Sequence, residues 1–177
     1  MNTQDNLQID RITNRLALYQ QQISPQPKDS KNTERTNHPT MAARDPITCH
    51  CLNTLSGTPA ANLPVTLTLL SGPSSGATFR ATTNPDGRVA NWTPIGTTEE
   101  TVPAILAGLP AADEKTNWSV RFEVGPWYEA QGIESFWPEV EVKFTVKGRG
   151  REGEEGWRHY HVPVLLGPWN YSTYRGS

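Results

Sequence analysis

From Ile47 onward, apolar and polar side chains alternate with a period of two, and this pattern constrains the chain more than any other feature of it. The clearest stretch is Glu139 to Val146. There Val140, Val142, Phe144 and Val146 fall on one face of an extended backbone, while Glu139, Glu141, Lys143 and Thr145 fall on the other. Such a segment predicts a half-buried strand. Val120, Phe122 and Val124 alternate with Arg121 and Glu123 in the same way, and Val65 to Leu70 is another β-rich run after Pro64. Turn sequences separate the runs: Ser71-Gly72-Pro73, Asn84-Pro85-Asp86-Gly87 and Gly167-Pro168-Trp169-Asn170. Short strands between such turns predict an all-β fold, a two-sheet antiparallel β-sandwich. One short helix interrupts it at Pro126 to Gly132, with proline suited to the helix start and glycine to its end. Thr93 to Asn117, rich in proline, reads as a long loop with one weak edge strand near Thr101 to Leu109, and Gly148 to Gly156 as a solvated connection.

The first 44 residues differ in character, so the chain divides into an extension, residues 1–44, and a domain, residues 45–177. Ile9, Ile12, Leu16, Tyr19 and Ile23 recur at steps of three and four, which predicts an amphipathic helix over about residues 9–23. Pro25 to Pro46 has almost no large apolar side chains to offset its ordering entropy and reads as a disordered linker. With a net charge of −2 the chain has no electrostatic footprint for nucleic acid or an anionic membrane, and its apolar runs are too short to span a bilayer. The N-terminus lacks a basic-then-apolar secretory pattern, so a reducing compartment is expected, with Cys49 and Cys51 as thiols. The Cys49-His50-Cys51 run invites a zinc reading, but on a strand His50 points away from both thiols, and the three cannot close one tetrahedral site.

The residues that carry chemistry gather near the end of the chain. His159 and His161 share one face of a strand, and Pro163 after them predicts a sheet edge or a bulge. With His50 on another strand and Arg88 after the Asp86-Gly87 turn, they would form a polar pocket fit for acid–base work. Histidines on a sheet are more often plain solvated surface, and the pattern alone favours that reading.

Four segments, taken in order, tip the balance. Ile47-Thr48-Cys49-His50-Cys51-Leu52-Asn53-Thr54 with Gly57-Thr58-Pro59-Ala60, then Glu129 to Val140, then His159-Tyr160-His161-Val162-Pro163, then Tyr174-Arg175-Gly176-Ser177 resemble the transthyretin-like 5-hydroxyisourate hydrolases over about residues 46–177. The resemblance implies an eight-stranded sandwich assembled as a homotetramer, a dimer of dimers with active sites in the groove where dimers meet. It implies no metal or organic cofactor. His50, Arg88, His161 and Ser177 match the family's catalytic positions and Tyr174 a substrate-contacting one, with His159 less firmly placed. The chain departs from the family pattern at Cys49, where threonine is usual, in longer connections at 94–117 and 148–156, and in its N-terminal extension.

The implied reaction opens the six-membered ring of 5-hydroxyisourate at the N1 to C6 amide, giving 2-oxo-4-hydroxy-4-carboxy-5-ureidoimidazoline in urate degradation. His161 and His50 would activate water and relay protons, either one serving as base, while Arg88 would hold the substrate's carbonyl oxygens. The rivals are a transthyretin-like carrier of a small ligand, which would need an apolar channel, a zinc-dependent amidohydrolase, and an immunoglobulin-like adhesion module. Arg15-Leu16, five residues, then Gln22-Ile23 resembles an N-terminal peroxisomal targeting signal, although Ile23 stands where leucine or alanine is usual, and a cytoplasmic protein is the alternative.

Overall fold

Alternation along Ile47–Asn53, strand β1, sends Ile47, Cys49 and Cys51 into the core, each no more than 1% exposed, and turns His50 to the other face. The computed structural model describes residues 44–111, 113–148, 153 and 157–176. The helix and linker expected over residues 1–43, most of the 148–156 connection, and Ser177 lie outside the described residues.

Beyond β1 the strands run β2 (Thr58–Pro59), β3 (Pro64–Ser71), β4 (Thr78–Thr82), β5 (Arg88–Val89), β6 (Thr93–Ile95), β7 (Lys115–Phe122), β8 (Val140–Lys147), β9 (Tyr160–Leu166) and β10 (Tyr171–Thr173). They form two sheets. One has the order β10-β9-β1-β2 with β5 also paired to β1; the other has the order β6-β4-β3-β7-β8. The inner faces meet through Leu63, Val65, Leu67, Leu69, Phe79, Trp118, Phe122 and Leu166, all essentially fully buried. The sandwich and the alternation of β8 match the sequence reading. One detail departs from it, because β1 runs parallel to β9 and the first sheet is therefore mixed. These two strands stand at opposite ends of the domain, so no tight turn has to join them and the intervening chain serves as the crossover.

Two short helices are present among the described residues. The helix expected near Pro126 begins earlier, at Val124, and ends at Glu129. Val124 therefore belongs to the helix and does not continue β7. The other helix, Val102–Ala107, replaces the loop and edge strand expected near Thr101 to Leu109. Its Val102, Ile105 and Leu106 are buried at helical spacing, and the Thr101 hydroxyl accepts the Ala104 N–H at 3.3 Å. Pro103 sits in the first turn, where a missing N–H costs nothing.

Pro163 marks neither a sheet edge nor a bulge. Its strand is interior, with β1 on one side and β10 on the other. The antiparallel ladder to β10 ends at Val164 with Thr173 and resumes in unchanged register as a bridge between His161 and Gly176. Proline has no N–H to donate to the chain beside it, and the ladder lapses at Tyr174 and Arg175 in consequence. Gly176 N–H closes it again on His161 O at 2.9 Å.

Candidate active site

The pairing of β1 lays out a site on the outer face of the first sheet. Arg88 stands opposite His50 from β5, and Pro163 stands opposite His50 from β9. One step along, Thr48 stands opposite His161, which in turn bridges to Gly176. Residues two apart on a strand share a face, so Thr48 and His50 on β1 and His161 on β9 all project to the same side.

Local chemistry fixes Arg88. The Asn84 side-chain oxygen accepts the N–H groups of Asp86 at 3.0 Å and Arg88 at 2.8 Å, forming the turn that aims the strand. Gly87 has φ of +71°, and a Cβ there would press on the Cys51 carbonyl oxygen, so only glycine fits. The Cys51 N–H donates to Gly87 O at 2.8 Å and ties the turn to β1.

Together these residues line a cavity of about 420 Å³ that includes Arg44, Thr48, His50, Arg88, His159, His161, Tyr174 and Gly176. Four of the five site residues expected from sequence, His50, Arg88, His161 and Tyr174, meet here, and the fifth, Ser177, lies outside the described residues. The His50 and His161 rings are 6.4 Å apart between centroids. His159 stacks against His161 at 6.2 Å, with its other neighbour, Trp157, near-parallel at 6.4 Å. Thr48 and Arg44 were not singled out by sequence. Thr48 could have been, since it lies two residues before His50 on one strand face; Arg44 carries no signal within a polar run.

The electrostatics keep the His50 and His161 imidazoles neutral. Burial, then Arg88, His159, His50 and Arg44, push His161 from 6.5 down to about 4. Burial and Arg88 also lower His50, against a smaller opposing pull from Asp86. Each ring at neutral pH thus has one nitrogen that accepts a proton and one N–H that donates. Cys49 is no nucleophile, because burial pushes its thiol up to about 12.

A two-sheet sandwich carrying neutral imidazoles and a guanidinium in an outer-face cavity defines a class of β-sandwich with a polar, protic pocket. Residues 47–176 match the model described as the HIUase/Transthyretin family, and the chain belongs to that family. Over 135 residues it is 38% identical to a protein named probable 5-hydroxyisourate hydrolase of Schizosaccharomyces pombe, covering 74% of this chain and 90% of that one. It is 34% identical over 134 residues to 5-hydroxyisourate hydrolase of Mus musculus, covering 75% and 95%. The solved transthyretin of Sparus aurata superposes with a TM-score of 0.54 at 22% identity, over 74% of this chain and 96% of that one, a likeness of fold alone.

Proposed function

We propose that this chain hydrolyses 5-hydroxyisourate, opening the ring at the N1 to C6 amide with water as nucleophile. The observation that carries the reading is the convergence of His50, His161 and Arg88 on one cavity, in a chain whose relatives bear that enzyme's name. One imidazole takes a proton from water as the oxygen bonds to C6. Arg88, with its planar fork of donors, holds the carbonyl oxygen on which negative charge develops. The N1–C6 bond breaks and N1 leaves with the proton returned by the imidazoles, so the histidines end as they began, and the ring-opened carboxylic acid gives up its own proton to solvent as the carboxylate. Tyr174 borders the cavity, which supports a substrate-contacting role for it, and Ser177 is assigned to the site by the resemblance alone. The chemistry calls for neither metal nor organic cofactor.

The carrier reading suits this cavity poorly, since a buried aromatic ligand would leave two imidazoles and a guanidinium without water or partners. Monitoring 5-hydroxyisourate against its spontaneous decay separates the two: a carrier slows or leaves the decay, an enzyme accelerates it.

Two further parts of the reading concern context. A homotetramer, with the site between dimers, is supported by the exposed Tyr174 at the cavity, 61% exposed, and by the exposed Leu165, 39% exposed, on the strand that carries His161, and sedimentation analysis tests it. Peroxisomal location rests on Arg15-Leu16 and Gln22-Ile23, and residues 1–44 fused to a fluorescent reporter test it: punctate signal supports the reading and diffuse signal rejects it.

A further inference from the structure

One hydroxyl lies between two histidines. Thr48 Oγ1 is 2.8 Å from His161 Nδ1 and 3.0 Å from His159 Nε2, on a residue only 6% exposed. A hydroxyl has a single proton, so it can donate to one of these nitrogens only and must accept an N–H from the other. If it donates to His159, then His161 carries its proton on Nδ1 and presents the bare Nε2. If it donates to His161, the reverse holds, and His161 presents Nε2–H. The tautomers of the two rings are therefore locked together.

We propose that Thr48 is a positioning residue that couples His161 to His159 as a two-imidazole proton relay, with Nε2 of His161 as the proton acceptor and His159 as the outer store. The step balances in protons. As water adds, its proton forms a bond to His161 Nε2, the Nδ1–H proton passes to Thr48 Oγ1, and the Thr48 hydroxyl proton passes to His159 Nε2. His161 remains neutral in its other tautomer, and the positive charge rests on His159. When the amide nitrogen departs, His161 Nε2–H supplies its proton and the chain runs backward to the starting state.

The surroundings favour moving the charge outward. Burial first, then Arg88, His159, His50 and Arg44, all act against a cation on His161, so a proton that stopped there would be poorly held. His159 stacks between His161 and the Trp157 ring, an aromatic neighbour suited to an imidazolium. Thr48 is placed for the relay by strand pairing, as the direct partner of His161 in the parallel ladder.

The substrate half of this inference rests on the hydrolase reading; the tautomer coupling does not. The test uses the full chain with Thr48→Val, which keeps the β-branch and removes the hydroxyl, and Thr48→Ser, which keeps the hydroxyl. Long-range proton–nitrogen spectra of 15N-histidine at neutral pH are expected to show His161 as the Nδ1–H tautomer in the unaltered chain and in Thr48→Ser. In Thr48→Val, the ring signals of both His161 and His159 should shift. With 5-hydroxyisourate, Thr48→Val and His159→Asn should each lower kcat on the order of 10-fold or more with KM within about twofold, and their combination should cost no more than either alone. His159→Asn leaves Thr48 in place, so it decides the kinetic arm even if Thr48→Val folds poorly. An Nε2–H tautomer at His161, unaltered ring signals in Thr48→Val, or an unchanged kcat in His159→Asn would each overturn the relay. A chain that never accelerates decay of the substrate would instead refute the hydrolase reading, and the ring spectra would still decide the coupling.

Discussion

His50 and Arg88 are direct cross-strand partners on β1 and β5, so a permanent cation sits beside an imidazole and, together with burial, helps to hold it neutral. Charge and geometry can be separated there. Arg88→Lys keeps the charge and loses the planar fork, and is expected to lower kcat/KM on the order of 10-fold or more with the acid limb of the pH profile in place. Arg88→Gln removes the charge, and because Arg88 lowers both His50 and His161, their pKa values should rise and the acid limb should move to higher pH. Measuring kcat/KM from pH 4 to 9 for both variants checks this.

The low pKa of His161 also sets a pH dependence of stability. A native pKa of about 4 against an ordinary 6.5 means that between these values the unfolded chain binds the proton and the folded chain does not. Stability should therefore fall as pH drops from about 6.5 to about 4. Urea midpoints for the unaltered chain and His161→Asn across this window test it: the variant should lose less stability on acidification.

Gly176 bridges to His161 across the ladder and leaves no room beside its ring. A Cβ at this position would lie 2.7 Å from His161 Cδ2 and 3.0 Å from Pro163 Cγ, so Gly176→Ala must displace the imidazole or the terminal segment. We expect kcat to fall on the order of 10-fold or more while the thermal midpoint changes little, because a small shift of a positioned base is costly for rate. Kinetics and thermal unfolding of the same preparation check it.

Arg44 borders the cavity from the segment just ahead of β1 and acts electrostatically on His161. An exposed arginine there is suited to draw in a polar planar substrate rather than to take part in bond breaking. Arg44→Ala should raise KM about threefold and leave kcat within about twofold. A truncation that starts at Arg44 should retain the KM of the full chain, whereas one that starts at Asp45 should match Arg44→Ala.

The sandwich was legible because alternation is a local signal: Val140, Val142, Phe144 and Val146 declare their shared face without knowledge of any partner strand. The helix at Val102–Ala107 was not, since two turns offer too few residues to separate helical spacing from a strand, and Pro103 looks like an interruption until its place in the first turn is known. His50 and His161 were readable as candidates, but their meeting depends on the parallel pairing of β1 with β9, which brings together positions 111 residues apart and leaves no mark in either segment. Pro163 predicts an edge or a bulge and the strand is neither, because nothing local shows that a second strand can lapse opposite it and rejoin in register.

The most direct measurement of the central claim is the rate at which 5-hydroxyisourate disappears, followed by its absorbance, with the purified full chain, with His161→Asn, and with buffer alone. The account predicts that catalytic amounts of the unaltered chain accelerate the decay well above the spontaneous rate and that His161→Asn loses most of that acceleration while remaining folded. Decay at the buffer rate with the folded, unaltered chain would contradict it.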